Sequence, residues 1–429
     1  MKEYCKTDLG LSCNNTCKSS DVERYGKQNI GLLFNTFSIL YLSSSFCTTT
    51  GVLPSFIVIA WWLVCLVSLV FKRKKLDALL FITVFFIGII VVMSSLINGE
   101  ELTNSFKRIF TFLVVAFYIN TYSYSEIRES FISVILFLAC FSIPFYFISM
   151  PHPTVFNSLI MYGPKGTPYY NFFFYCHDLM DFRDGGLFWE PGAFATYINI
   201  TIMLLLLNEK EKRKIVKLLV LVFVDILTFS TTGYITLALL FVMYICTRST
   251  SKLEKAIVIC SIGVIVYLMF NIYSAELFGT TSRYTFGKLK ILFDGNAFSY
   301  SNNDLNSVSV RINSIIKPFE IFLQHPLLGV GYDKLQQKTL LYTRGAITCT
   351  YVNWFALYGL FYGLIMVIGY VKMICFAEKR VYVRALIALF FLIALISENY
   401  ASNACFVCIA LMGYKYSRNR MVYKINHEQ

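Results

Sequence analysis

Long apolar blocks alternate with short polar connections along most of the chain. The blocks approach the roughly 20 residues that a helix needs to cross a bilayer, and they are too long and uniform for the strands of a membrane barrel. Backbone polar groups inside a bilayer must be satisfied within their own segment, so the pattern predicts helices. We predict about twelve spans, near residues 30–47, 51–71, 76–97, 106–123, 130–150, 192–207, 215–229, 234–247, 256–273, 346–371, 381–397 and 402–416.

The predicted fold class is therefore all-α, a polytopic integral membrane protein whose membrane domain covers residues 30–416. The seventh and eighth predicted spans are short, and a broken pair that dips into the membrane is the alternative for them. Most of the 38 Lys and Arg residues fall on one side of this layout, together with the polar tails 1–28 and 417–429. The positive-inside rule then predicts that both termini are cytoplasmic.

Two long segments, 151–191 and 274–345, lie on the predicted outer side, and long loops of membrane proteins commonly carry function. Pro318, in the second segment, is predicted to kink a helix or to mark its start. Apolar residues recur there at helical spacing and predict an amphipathic helix: Ile312, Ile315, Ile316, Phe319, Phe322 and Leu323.

Composition agrees with this layout, because 57% of the residues are hydrophobic and only 15% are charged. The net charge of +13 is explained by topology and by attraction to anionic lipid, and it requires no nucleic-acid partner. Most of the 13 cysteines fall inside predicted spans, where a thiol behaves as a small hydrophobe. We therefore predict no disulfide framework.

Arg183 and Glu190 stand directly before the sixth predicted span, on the outer side. Pro191 suits the first position of that helix, which makes Glu190 a candidate N-cap. One interpretation is a helix start with an interfacial anchor. The other is an anion-binding arginine beside a carboxylate that takes a proton from a hydroxyl, although a helix N-terminus lowers the basicity of a carboxylate unless burial offsets it.

Further cations are predicted on the same side. Lys107 and Arg108 begin the fourth predicted span, where snorkelling to the interface and function explain them equally well. Together with Arg183, Arg311 and Arg344 they would form a cationic cluster on one membrane face. Such a cluster suits a diphosphate, whose charge must be neutralised when it binds and when it leaves.

Two other polar features have structural alternatives. His177, Asp178, Asp181 and Asp184 have helical i, i+3 spacings that could hold a divalent cation, but acidic clusters are common in solvated loops and we predict no metal. Asp225 lies within the seventh predicted span. It is either a residue of a transport pathway or, as we favour, a buried hydrogen-bonded side chain.

Three motifs occur in a fixed order: R-x-x-G-x-F-x-E-P-x-x-x-A in RDGGLFWEPGAFA, T-x-S-x-x-G in LTFSTTGYITLALL, and an arginine followed by an amphipathic helix and H-P-L-x-G-x-G. With the two outer loops, this arrangement resembles the Wzy-type O-antigen and capsule polysaccharide polymerases and the related O-antigen ligases. The residues that carry the resemblance are Arg183, Gly186, Phe188, Glu190, Pro191, Ala195, Arg311, His325, Pro326, Leu327, Gly329 and Gly331.

The resemblance implies a metal-independent glycosyltransferase without a cofactor, multi-pass in the bacterial cytoplasmic membrane. It would transfer a glycan from an undecaprenyl diphosphate carrier onto the sugar end of another lipid-linked repeat unit. Donor, acceptor and membrane lipids are the implied partners, and a chain-length regulator is a candidate one. Glu190 or His325 would be the base, and the diphosphate would contact Arg183, Arg311, Arg344, Lys107 and Arg108.

Two alternatives remain. An O-antigen ligase would transfer the glycan to a lipid A core. Ligases usually carry a histidine and an asparagine just before the helix that follows the second loop, whereas TCTYVNWFALYGLFYG contains Asn353 but no histidine, which favours a polymerase. A flippase or transporter of lipid-linked glycans would be expected to place its charged residues near the membrane midplane.

Overall fold

The computed structural model describes residues 29–149, 159–162, 168–178, 183–208, 213–247, 307–343 and 347–425. The protein is mostly helical. In chain order the helices are α1 (Ile30–Ser44), α2 (Phe46–Thr49), α3 (Ser55–Val70), α4 (Ala78–Asn98), α5 (Leu102–Thr121), α6 (Tyr124–Ser149), α7 (Pro191–Leu207), α8 (Lys214–Leu227), α9 (Thr231–Thr247), α10 (Ser307–Gln324), α11 (Tyr332–Thr343), α12 (Thr350–Ala377), α13 (Val381–Ser397) and α14 (Ala404–Ile425).

A helix occupies the position of each predicted span except 256–273, which lies outside the described residues. Four helices, α4, α5, α6 and α12, are long and apolar enough to cross a membrane by length and composition. The other described helices do not meet both criteria, so the number of crossings remains a prediction. The predicted tail 1–28 also lies outside the described residues, whereas α14 continues to Ile425, well into the predicted C-terminal tail.

Local sequence explains how the helices begin and end. Asp77 caps α4 by accepting the Leu80 N–H at 3.0 Å, and Gly99 ends it with a φ of +68°. The outward face of this helix carries exposed Ile82, Phe85 and Ile89, as expected of a surface in contact with lipid rather than water. One face of α4 is therefore buried in the bundle, while the opposite face is apolar and exposed.

The first long loop contains a small sheet, which is an addition to the predicted all-α fold. Its strands are antiparallel in the order β1 (Ile160–Tyr162), β2 (Pro168–Phe172), β3 (Tyr175–Asp178) and β4 (Arg183–Asp184). His177 in β3 lies opposite Asp184 in β4. The helical spacing inferred for His177, Asp178 and Asp184 is thus wrong, because these residues lie on strands; Asp181 lies outside the described residues.

The second long loop contributes two helices. α10 contains Pro318 in its interior and begins well before it, so Pro318 does not mark the helix start. α11 packs on α10, and the side chain of Asn313 donates to the Tyr342 carbonyl at 3.0 Å. α10 also packs on α12, which in turn makes an extensive contact with α14. This stack attaches the second loop to the end of the bundle.

A polar network lies between α7, α8 and α9. Asp225 is fully buried and accepts from Asn199 Nδ2 at 3.2 Å. Asn199 also donates to the Gly233 carbonyl and to Thr236 Oγ1, both at 3.1 Å. A buried carboxyl with a hydrogen-bonding neighbour is the situation expected of a structural residue at a helix crossing, which agrees with the favoured interpretation of Asp225.

Candidate functional site on the loop face

We call the end of the bundle that carries the sheet, α10 and α11 the loop face. Arg183, in β4, is buried there, and its Nε donates to the Thr228 carbonyl at 3.2 Å. Thr228 belongs to the T-x-S-x-x-G motif, which forms the turn between α8 and α9. Ser230 caps α9 by accepting the Gly233 N–H at 3.2 Å, so this motif builds the turn that holds Arg183.

Glu190 directly precedes α7, and Pro191 is the first residue of that helix, as predicted. The Glu190 carbonyl accepts from the N–H groups of Ala193 and Phe194, at 3.0 and 3.2 Å. Its side chain makes no capping hydrogen bond and is half-buried. Glu190 therefore occupies the cap position while its carboxylate remains available for another partner.

A second acidic residue, Glu398, reaches the same place from the connection between α13 and α14. A Cβ built on Gly192 would lie 2.8 Å from Glu398 Oε1 and 3.7 Å from Ser230 Oγ. Burial raises the pKa of the Tyr400 hydroxyl well above its usual value, and the carboxylates of Glu398 and Glu190 both add to the rise. We call Arg183, Glu190, Ser230, Glu398 and Tyr400 the carboxylate region.

Arg108 lies in a different environment on the loop face. Its Nη1 donates to the Tyr358 hydroxyl at 2.5 Å and lies 3.9 Å from the Glu100 carboxylate, and its guanidinium stacks 4.8 Å from the centre of the Tyr332 ring. Glu100 also accepts the Asp333 N–H at 2.8 Å. We call Arg108, Glu100, Tyr332 and Tyr358 the arginine–tyrosine region, in which the cation is already neutralised.

The H-P-L-x-G-x-G motif docks against a break in α12. Val330 donates to the Ala356 carbonyl at 2.9 Å, and Gly331 donates to the Leu357 carbonyl at 3.0 Å. On the other side of the break, Leu360 donates to the Pro326 carbonyl at 2.8 Å. The loop thereby replaces hydrogen bonds that an unbroken helix would have made within itself.

Glycine is required at two positions of this contact. Gly359 has a φ of +80°, which interrupts α12, and a Cβ there would overlap the Leu327 carbonyl. Gly329, with a φ of +64°, would place a Cβ 2.5 Å from the Ala356 carbonyl. Gly329 of the motif and Gly359 of α12 therefore serve close backbone approach, which is a structural role.

The predicted site residues are spread over the loop face. Arg183 and Glu190 both belong to the carboxylate region, whereas Arg108 belongs to the arginine–tyrosine region. Lys107 is exposed on α5, and His325 is exposed at the end of α10. Arg311 is half-buried on α10, with no ion pair to any described residue, and Arg344 lies outside the described residues.

Sequence reasoning missed two acidic residues, Glu100 and Glu398. Each lies in a short polar connection between predicted spans, in NGEELTN and SENYASN, on the same predicted side as the long loops. An acidic residue at such a position was the only feature that pointed to them. Their partners are distant in sequence, so the pattern along the chain could not reveal the contacts.

His177 and Asp184, which pair between β3 and β4, have buried side chains. Burial lowers the pKa of His177 to about 4. Burial raises the pKa of Asp184 to about 6, although its Oδ1 accepts the Gly186 N–H at 2.8 Å. The part of the chain that the structure describes contains no group of three or more acidic, histidine or cysteine side chains that could hold a metal ion.

The comparison with known families bears on the T-x-S-x-x-G turn, on α10 and on the docked loop. Residues 215–368 match the family model of the O-antigen ligases. No curated protein matches the chain. The match covers Arg311, His325 and the break in α12, while Arg183, Glu190 and Glu398 lie on either side of it. It supports the O-antigen ligase and polymerase family, and it indicates a bacterial membrane protein that transfers glycosyl groups in polysaccharide assembly.

Proposed function

We propose that the protein is a polysaccharide polymerase of the O-antigen ligase and polymerase family. It joins oligosaccharide repeat units that are carried on undecaprenyl diphosphate, at the outer face of the cytoplasmic membrane. The observation that carries this proposal is the carboxylate region, where Glu190 and Glu398 both act on Tyr400 and the turn at Thr228 holds Arg183, beside the segment that matches the family. In this proposal the side chains of the carboxylate region carry out the glycosyl transfer.

The proposed step is a glycosyl transfer between two lipid-linked chains. A hydroxyl oxygen of the acceptor sugar bonds to the anomeric carbon of the donor, and the bond from that carbon to the diphosphate oxygen breaks. The hydroxyl proton passes to a carboxylate, and the lipid diphosphate leaves as an anion. Arg183, whose charge has no acidic partner within 4 Å among the described residues, stabilises the departing charge.

Glu190 is better placed than His325 to be the base. Its carboxylate is free of capping hydrogen bonds and shares the surroundings of Tyr400 with Glu398. His325, by contrast, is exposed at the end of α10 and belongs to neither region.

The remaining cations divide into two groups. Arg311 and Lys107 remain candidates for the diphosphate, because their side chains reach the surface of the loop face, and Arg344 stays with them as a prediction from the sequence. Arg108 is better explained as support, since Glu100 and two tyrosines already satisfy it.

The test is a deletion strain complemented with single variants, with surface polysaccharide length read on a gel. In the deletion strain, loss of long chains with single repeat units still attached supports a polymerase. Complementation with Arg183→Ala is expected to give the same loss of long chains at normal protein levels. Lys338→Ala, an exposed cation on α11 outside both regions, is the matched control and should leave chain length unchanged.

An O-antigen ligase is the second candidate, because the matching family model is described by that activity. The same gel separates the two. A ligase deletion would remove all attached glycan while polymer accumulates on its carrier. The missing histidine before α12 favours the polymerase, and the hydrogen bond that buried Asp225 accepts from Asn199 supports a structural role for Asp225 rather than one in transport.

A further inference from the structure

A cleft lies between the carboxylate region and the arginine–tyrosine region. Two of its lining residues adjoin these regions: Tyr332 stacks on Arg108, and Asn399 directly follows Glu398. Every described side chain that lines the cleft is uncharged. We call it the amide cleft, and its lining residues are Tyr332, Leu335, Gln336, Ile347, Asn353, Leu357 and Asn399.

Asn353, in the first turn of α12, is the unusual member of this lining. It is 0% exposed, and neither Oδ1 nor Nδ2 has a hydrogen-bond partner among the residues that the structure describes. Other buried carboxamides are engaged: Asn313 donates to Tyr342, and Asn403 donates to Ser44 Oγ at 2.8 Å. A buried amide without a partner is unfavourable, so its presence beside a cleft indicates a partner from outside the chain.

The lining chemistry identifies the class of that partner. A carboxamide offers a donor and an acceptor side by side, which matches a sugar hydroxyl that donates and accepts. The cleft contains three such carboxamides, those of Asn353, Asn399 and Gln336. The ring of Tyr332 and the side chains of Leu335 and Leu357 offer apolar surface for the C–H face of a sugar.

We propose that the amide cleft is a subsite for one neutral sugar ring of the lipid-linked substrate, with Asn353 as its buried anchor. This inference rests on the proposed function and adds which residues hold the saccharide and what charge it carries. A uronic acid is disfavoured, because no cation lines the cleft among the residues that the structure describes and Glu398 is the next residue to Asn399. The bound ring lies beside the carboxylate region, where transfer is proposed to occur.

The experiment measures saturation-transfer NMR on the full chain in lipid nanodiscs. The probe is the free repeat-unit oligosaccharide, prepared by acid hydrolysis of the surface polysaccharide of the same cells. We expect transfer to the protons of one neutral ring in the natural protein, and an affinity at least about tenfold lower in Asn353→Leu, which corresponds to about 1.4 kcal/mol. Equal binding by Asn353→Leu, no binding to the natural protein, or transfer only to an acidic ring would overturn the proposal.

Asn313→Leu is the matched control, since Asn313 is also buried on the loop face but has a structural partner. Its melting temperature should fall while binding persists. Asn353→Leu should show the opposite pattern, with a melting temperature that is unchanged or higher and with binding lost. If Asn353→Leu unfolds as Asn313→Leu does, Asn353 is a structural residue and the proposal fails.

The same strains distinguish this inference from the proposed function. Long surface chains in the deletion strain would refute the polymerase while leaving sugar binding intact. Loss of long chains on deletion, combined with normal sugar binding by Asn353→Leu, would refute only the amide cleft.

Discussion

Arg183 and Arg108 are both largely buried arginines of the loop face, yet their surroundings differ. Arg108, with 15% of its side chain exposed, has a carboxylate, a hydroxyl and an aromatic ring as partners. Arg183 has a backbone carbonyl, and no carboxylate within 4 Å among the described residues. A charge neutralised within the fold holds elements together, whereas a buried charge without a counterion is suited to an anionic ligand.

The largest expected effect is on Arg183. Arg183→Ala should lower polymer formation by about 100-fold or more, because a donor that stabilises developing charge contributes about that much to the rate. Arg183→Lys should also impair, since an ammonium cannot reproduce the planar fork. Polymer length on a gel, normalised to protein level, measures both. Long chains in Arg183→Ala cells would remove the distinction between the two arginines.

The next largest effect is expected at Glu190, the proposed general base of the transfer. Glu190→Gln should reduce the transfer rate by about 100-fold, which is within the usual range for general-base catalysis, while His325→Ala should retain most of the activity. Initial rates with purified protein and lipid-linked repeat units measure this difference. The reverse order of the two variants would assign the base to His325 and leave Glu190 as a helix-start residue.

Arg108 should act mainly on stability. Arg108→Met leaves the Glu100 carboxylate, 2% exposed, without its cation, and we expect unfolding to become easier by about 2 to 3 kcal/mol. Adding Glu100→Gln should recover part of this loss, because the uncompensated charge is then removed. Denaturant midpoints in detergent test both variants. A rate loss in Arg108→Met without a midpoint shift would place Arg108 with Arg183 instead.

The smallest expected effect concerns the residue next to Arg183. Since the pKa of Asp184 is raised from 3.8 to about 6 on folding, its contribution to stability is complete below pH 3.8 and is lost as pH rises through 6. Since the pKa of His177 is lowered from 6.5 to about 4, its contribution is complete above pH 6.5 and is lost as pH falls through 4.

These two dependences oppose each other between about pH 4 and 6. The natural protein should therefore change little in stability over this range. Asp184→Asn should gain about 2 kcal/mol as pH rises, because the dependence of His177 is then unopposed. Melting temperatures at pH 4, 5 and 6 would check this, and a flat profile for Asp184→Asn would show that His177 is not buried as a neutral ring.

The sequence was sufficient for features that depend on neighbours along the chain. Apolar blocks located the helices, and Pro191 located the start of α7. The sheet escaped prediction because its strands are short and lie among aromatic residues without clear alternation. Glu100, Glu398 and the environment of Asn353 also escaped, because each depends on contact with residues far away in the chain.

The break in α12 has a consequence for how the protein is made. The freed carbonyls of Ala356 and Leu357 lie roughly 10 Å along the helix from its start, at a depth where lipid would offer them no hydrogen bond. Their partners, Val330 and Gly331, precede α12 in the chain and are therefore synthesised before it. The order of these segments along the chain thus matches the order in which the membrane requires them, with the loop made before the helix whose carbonyls it satisfies.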